Sequence, residues 1–417
     1  MAALGGGLEY YDFVIYGIFA QGMAAAFFPA SDPLTSLSLS LAVFAVGYLA
    51  RPFGGMLLSH FGDRYGRKRA FVATLFVMSI CTLAISILPA SAEWGAAAGL
   101  SLLFLRFVQG LCIGGELPGA VTFVVESARR RPGLACGIVF ALVNAGVLLA
   151  ALVKLALVSW LTPAEFIDHG WRIAFAIGGL LGLISFWLRR GLHETPAFAR
   201  IRSETSRNPV GETLSLHRDQ VMLGCAIAAP TAAFNGLLFA HMPPYLEGLA
   251  GYDSGDVAVA MNIALATMSV LLLMVAWGAD KVPPRRLLRA SSLMLLFGGP
   301  VGYALLAGGN ANIDIVLPAL ALAAAGANGS FAFILASLFP PRVRFSGVAL
   351  SLNISFTLFS GLGPLAANAL IKASSWNAAP GLVIAAAALV GLTASFARGL
   401  RTGTDQCPLV PPRGDRQ

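Results

Sequence analysis

Seven ionisable side chains stand inside long apolar stretches of this chain: Glu9, Asp12, Arg51, Arg106, Glu116, Glu126 and Lys154. In hydrocarbon such a charge costs at least about 2.5 to 3.5 kcal/mol, so each needs a partner, a wet cavity or a function. Glu9 and Asp12 are three residues apart, on nearly one face of a helix, with Phe13 and Tyr16 beside them. Two acids so placed suit a carboxyl that takes up a proton on one side of a membrane and releases it on the other. For Glu9 the alternative is a contact with the helix N-terminus or a loop arginine. Arg106 offers a planar fork matched to a carboxylate, belonging either to a solute or to a proton-carrying acid. Glu116 follows Gly114-Gly115 and precedes Pro118, where small residues let another helix come close. For both, a solute or proton role competes with a structural ion pair between helices. Tyr16, Gln109, Asn144, Asn235 and Asn328 join Glu9, Asp12, Arg106, Glu116 and Lys154 as the substrate and proton group. Lys154 is either a counter-ion in a cavity or, the expected reading, a long stem that snorkels to the surface near Trp160. Glu126, beside Arg129 to Arg131, is expected to form a structural ion pair between loops, and Arg51 to hold helix ends. A lone His241 before Met242-Pro243-Pro244 reads as a helix-end residue.

The elements carrying these residues follow from composition. Of 417 residues, 57% are hydrophobic and 12% charged, with a mean hydropathy of +0.77; soluble chains carry about 25% charged residues. This is an integral membrane protein. Apolar runs between charged or Pro/Gly breaks predict helices over 8–28, 35–59, 70–89, 97–126, 134–160, 172–189, 220–246, 256–278, 288–308, 313–339, 346–371 and 378–398. Twelve spans of about 20 residues leave short loops and one longer connection, with kinks expected at Pro118, Pro230, Pro300 or Pro364. The fold class is all-α: two bundles of six transmembrane helices related by a pseudo-two-fold axis. The predicted units are an N-terminal bundle over 1–190, a central cytoplasmic loop over 191–219, a C-terminal bundle over 220–398 and a cytoplasmic tail over 399–417.

Charge placement supplies the orientation. The net charge is +8, yet of the 28 Lys and Arg all but Arg51, Arg106, Lys154, Arg172 and Lys372 fall in loops on one side, as the positive-inside rule requires. The basic balance therefore calls for no nucleic-acid partner, and both termini are expected in the cytoplasm of a bacterial cell, the chain lying in its inner membrane. No cleavable leader is expected, because the first apolar run holds Glu9 and Asp12 and lacks a basic start. Five scattered cysteines and five histidines show no metal-ligand spacing, so no metal and no cofactor is expected.

Gly62, Asp63, Arg64, Tyr65, Gly66, Arg67, Lys68 and Arg69 form a basic octet between the second and third runs. Asp63 can accept hydrogen bonds from a helix N-terminus or an arginine, and Gly62 and Gly66 permit a tight turn. Arg51, Gly62, Asp63, Arg64, Gly66, Arg67, Lys68 and Asp280 make a gating motif, a network that holds one closed state and breaks in the other; the alternative is a solvated basic loop that serves topology alone. Asp280-Lys281 and Arg285-Arg286 repeat the pattern at the matching place in the second half. A degraded repeat in two halves is the mark of a transporter with its site at the bundle interface.

With Leu8-Glu9-Tyr10-Tyr11-Asp12-Phe13, Leu49-Ala50-Arg51-Pro52-Phe53-Gly54-Gly55, Arg106-Phe107-Val108-Gln109-Gly110, Gly114-Gly115-Glu116, Trp171-Arg172-Ile173, Glu194-Thr195-Pro196 and Arg342-Val343-Arg344-Phe345-Ser346-Gly347 in place, the chain resembles the major facilitator superfamily. Within it the resemblance is to the metabolite:proton symporters that carry proline and betaine, citrate, 2-oxoglutarate and shikimate. The family usually has Trp at the position of Tyr10 and an aromatic after the fourth-span glutamate, where Leu117 stands. The resemblance implies proton-coupled uptake of a small polar metabolite by alternating access, through a functional monomer whose partners are solute, protons and lipid. An exporter of drugs, metabolites or siderophore-like compounds is the alternative. No Gly-x-x-x-x-Gly-Lys-Ser/Thr loop suggests ATP drive. A sensor would need an output domain beyond the short tail, and an enzyme a nucleophile-base set.

Overall fold

A computed structural model describes residues 2–65, 67–128, 130–190 and 209–397; within these, no side chain is described for 2–6, Glu9, 59–65, 67–71, 188–190 or Pro209. The described residues form twelve long helical segments: α1 over 2–27, α2 Pro33–Tyr65, α3 Arg67–Ser86, α4 Ala96–Ser127, α5 Pro132–Trp160, α6 Pro163–Trp187, α7 Arg218–Gly248, α8 Ser254–Ala279, α9 Pro284–Ala307, α10 Ile313–Ser337, α11 Arg344–Ser374 and α12 Pro380–Ala394. Among the described residues nine of them meet the length and apolarity needed to cross a bilayer. The starts are set by ordinary capping chemistry. Asp253 accepts from Gly255 and Asp256 at the head of α8, Asn312 from Asp314 at α10, and Thr162 forms a capping box with Glu165 at α6.

The predicted spans match these helices with two corrections. α6 begins at Pro163 rather than 172, entering through a π-helical turn at Phe166–Gly170. α7 begins at Arg218 rather than 220, and a short helix, Pro209–Leu216, precedes it; residues 191–208 lie outside the described ones. Irregularities fall beside the expected prolines rather than on them. α4 breaks at Gly114–Gly115, just ahead of Pro118, and α11 widens at Phe356–Gly361, just ahead of Pro364. Inside a helix the lost N–H of proline frees a carbonyl on the preceding turn, and that is where the ladder gives way.

Packing repeats between the halves. In the first, α1 packs on α5 and α6, α2 on α4, and α3 on α6; in the second, α7 packs on α11 and α12, α8 on α10, and α9 on α12. Each pair maps onto the other by adding six. The halves meet through α5 with α8 and α2 with α11, two pairs that exchange under the same operation, as a pseudo-two-fold requires. Close crossing needs glycine at particular points. A Cβ at Gly114 would fall 2.1 Å from the Arg51 carbonyl oxygen, so α4 and α2 touch backbone to backbone there.

Candidate functional site

The sequence-predicted residues separate into two places. In the N-terminal half, Asp12 on α1 is buried with its Oδ1 lacking a hydrogen-bond partner. Its carboxylate abuts α6 at two glycines: a Cβ at Gly178 would lie 2.5 Å from Oδ1, and one at Gly182 3.1 Å from Oδ2. The Thr82 hydroxyl of α3 is its hydrogen-bonding neighbour. From there a chain of donors leads to α4: Thr82 Oγ1 accepts from Gln109 Nε2 at 2.9 Å, and Gln109 Oε1 accepts from Arg106 Nη1 at 3.0 Å. Arg106 is fully buried, gives further hydrogen bonds to the Phe13 carbonyl at 3.2 and 3.3 Å, and has the rings of Phe13 and Tyr16 each 4.6 Å from its guanidinium carbon. Tyr16 is anchored by its hydroxyl on the Ser40 carbonyl at 3.1 Å. Arg106 and Gln109 donate along the chain towards Thr82, whose single hydroxyl proton has both the Met78 carbonyl, at 2.9 Å, and Asp12 as acceptors, so the arginine's charge is linked to Asp12 without direct contact.

The second place is a narrow central cavity of about 10 Å³ between the halves, room for about one water. Its polar lining is Asn144 on α5, Asn235 on α7, Asn328 on α10 and Ser360 on α11; its aromatic lining is Tyr10, Tyr48, Phe140, Phe239 and Phe356. Asn144 donates to Leu265 and Ser269 of α8, and Asn235 donates to Asn328 Oδ1 at 3.1 Å. The carbonyl oxygens of Asn144 and Asn235 are buried without donors. Unsatisfied acceptors among aromatic faces fit a group that brings N–H donors or a positive charge. Asp12, Arg106, Gln109, Glu116 and Lys154 do not line this cavity. Glu116 is half-buried where α4 resumes after its break.

Charged contacts join the halves at both ends. Lys154 does not snorkel: its ammonium is 2.5 Å from Glu247 Oε1 on α7, with side chains only 6% and 11% exposed. A buried carboxylate across the interface is a better partner for the ammonium than a distant headgroup layer. Nearer the surface, Lys372 lies 3.2 Å from Asp32 and donates to Thr35 at 2.6 Å. The Thr35 hydroxyl, then Lys372, hold the Asp32 carboxyl down at about 2. At the end bearing the basic octet, Glu126 forms the expected ion pair between loops, with Arg344 of α11 at 3.1 Å. Asp280 caps α5, its two oxygens accepting from Gly133 N at 2.7 Å and Leu134 N at 3.0 Å. This is the role expected of an acid in the gating motif, found in its second copy. Gly66 and the side chains of Glu9, Asp63, Arg64, Arg67 and Lys68 lie outside the described residues, as does the surrounding of Gly62. Arg51 of the same motif bonds to no helix end.

His241 is also corrected. It sits in a π turn of α7, Leu237–His241, fully buried, its ring nitrogens 3.3 Å from the Tyr303 hydroxyl and 3.2 Å from Asn368 Oδ1. Sequence reasoning did not find Thr82, Tyr48, Phe356 or Glu247. Only Glu247 left a signal, an acid at the same end of the seventh run as Lys154 is of the fifth.

A sequence model described as the Major Facilitator Superfamily matches residues 2–353. The ectoine/proline transporter ProP of Corynebacterium glutamicum is 33% identical over 98% of this chain and 84% of its own length. The proline/betaine transporter of Escherichia coli is 31% identical, covering 94% and 81%, and the E. coli inner membrane metabolite transport protein YhjE 32%, covering 94% and 90%. Among solved structures, the proton:xylose symporter XylE bound to 6-bromo-6-deoxy-D-glucose superposes with a TM-score of 0.75 at 16% identity, over 94% of this chain and 93% of that one.

Proposed function

Because the chain belongs to the Major Facilitator Superfamily, we propose that it is a proton-driven secondary transporter that takes up a small zwitterionic solute, its two bundles rocking about the central cavity. The observation that carries the reading is Asp12, a buried carboxyl with an unpartnered oxygen, tied through Thr82 and Gln109 to a buried arginine. Ionised, Asp12 accepts the Thr82 hydroxyl and terminates the donor chain. Protonated, it no longer needs that donor, and the Thr82 hydroxyl has the Met78 carbonyl 2.9 Å away as an alternative acceptor. Proton binding thereby weakens the hold on Gln109 and Arg106, and Arg106 in turn holds the α1 backbone at Phe13.

The solute class follows from the cavity and the relatives together. Two amide oxygens without donors, among five aromatic rings, suit an ammonium group, and the relatives are named for ectoine, proline and betaine. The end carrying the basic octet is taken as cytoplasmic, with both termini there, in the inner membrane of a bacterium, and the unit as a monomer. The bundles divide at the central connection, 1–190 from 218–397.

Uptake of labelled proline and glycine betaine into proteoliposomes under an imposed inward proton gradient tests this. Gradient-driven accumulation is expected in the parent, and its loss in Asp12→Asn with solute exchange retained. Accumulation that survives collapse of the gradient, with Asp12→Asn fully active, would refute the reading.

A further inference from the structure

Arg51 of α2 is the buried charge that this mechanism does not use. It is as deeply buried as Arg106, yet none of its three nitrogens has a hydrogen-bond partner. Three rings surround the guanidinium: Tyr48 at 5.1 Å, Phe356 at 5.6 Å and Phe13 at 5.8 Å from its central carbon. Aromatic faces stabilise the charge, but they leave five N–H donors without acceptors. Arg106, equally buried, finds a backbone carbonyl and an amide. A guanidinium left in this state within a membrane protein marks a solute or ion pathway, and its fork matches two oxygens of one carboxylate.

Its position says which solute. Tyr48 and Phe356, the two nearest rings, both line the central cavity. The next residue, Pro52, lines a second small cavity of about 10 Å³ with Gly55, Met56 and Asn353, on the side of the basic octet. Arg51 itself lines neither; its guanidinium sits behind the Tyr48 and Phe356 rings of the central cavity.

We infer that Arg51 binds the carboxylate of the transported solute at the floor of the central cavity, the Asn144 and Asn235 oxygens and the aromatic rings taking the ammonium end. This rests on the zwitterion reading above and adds the residue that selects for the acid group. Arg51 is then a specificity determinant rather than part of a gating latch.

Glycine betaine and choline share a trimethylammonium group and differ in carboxylate against alcohol, so they isolate the contact. Binding of each to the purified full-length protein, read by thermal shift and by competition against labelled solute, is compared in the parent, Arg51→Gln and Arg51→Lys. The parent is expected to prefer glycine betaine by about 100-fold, the scale of a charge-assisted bidentate pair. Arg51→Gln should bring the two within about threefold by losing betaine alone, and Arg51→Lys should keep part of the preference. The empty Arg51→Gln protein should melt no lower than the parent, because it discards an uncompensated cation. An unchanged betaine-to-choline ratio, or a variant that melts lower or does not fold, would overturn the assignment. If the parent binds neither compound, acetate and longer carboxylates are compared with their matching alcohols. Carboxylate-selective stabilisation lost in Arg51→Gln upholds Arg51 and rejects the zwitterion reading; its absence in the parent rejects Arg51.

Discussion

Removing the Glu247 charge should open the end of the protein opposite the basic octet. The pair it forms with Lys154 joins α7 to α5 at 2.5 Å with both side chains nearly excluded from solvent. At an effective dielectric of about 20 the gross attraction at that separation is roughly 6 to 7 kcal/mol, and desolvation of the two ions, several kcal/mol each, offsets most of it. Deleting one partner is different, because the remaining ammonium keeps the desolvation cost without the attraction, about 3 to 5 kcal/mol. Separation of the halves would let water reach Lys154, so that penalty applies to the closed arrangement and biases the equilibrium towards opening. Converted at about 1.4 kcal/mol per tenfold, Glu247→Gln should raise the open-to-closed ratio by roughly two to four orders of magnitude. Spin labels at Trp160 and Asp256, on the ends of α5 and α8 in a cysteine-free background, report the distance between halves. The expected result is a longer, dominant distance in Glu247→Gln. The double variant Lys154→Met with Glu247→Met should return to the closed distance, since no buried charge remains. Equal distances in parent and Glu247→Gln, or a double variant as open as the single, would refute the reasoning.

Asp32, held at about 2, lies below its ordinary 3.8, so the contact with Lys372 is complete above the ordinary value and is lost only as pH falls through about 2; Asp32→Asn should leave the pH profile of uptake between about pH 5 and 8 unchanged, and a shifted profile would contradict this. A Cβ at Gly137 would fall 2.1 Å from the Ala276 Cβ, so Gly137→Val should wedge α5 from α8 at a cost of about 1 to 3 kcal/mol, read as a lower melting temperature with slowed solute exchange. Asn235→Ala removes one cavity acceptor and should raise KM by about 5- to 10-fold with folding intact; an unchanged KM would remove Asn235 from the solute site.

Depth along the membrane was legible in the sequence, and azimuth and partnership were not. Apolar runs gave twelve helices within a few residues at most ends, and the charge bias separated one set of loops from the other. The same runs placed Asp12, Arg106 and Gln109 at depth, where the structure connects them. Lys154 and His241 went astray because each was weighed against the nearest water. Their actual partners, Glu247 and Asn368, lie 93 and 127 residues away. A long-range pair within a helical bundle leaves no local periodicity to read. Arg51 went astray differently, since its neighbours Pro52, Gly54 and Gly55 read as a helix end while α2 runs on to Tyr65. Proline inside α2 is tolerated because α4 packs against its backbone at glycines.

On the proposed reading, in which Asp12 carries the proton, the separation of Asp12 from the cavity constrains how the two can be coupled. A solute shifts a conformational equilibrium only through contacts that differ between states, and Asp12 makes none with the cavity. The shared element is α1. Tyr10 lines the cavity, Phe13 packs under both Arg51 and Arg106, and Asp12 faces α3 and α6. Arg106 grips α1 at the Phe13 carbonyl through the same guanidinium that ends the donor chain from Asp12. Release of that chain by protonation, and occupation of the cavity beside Tyr10, therefore act on one helix from opposite sides. Gly17 fits this role: a Cβ there would fall 2.8 Å from the Ala240 Cβ in the π turn of α7. Movement of α1 would thus be transmitted directly to the second half where its backbone is widened.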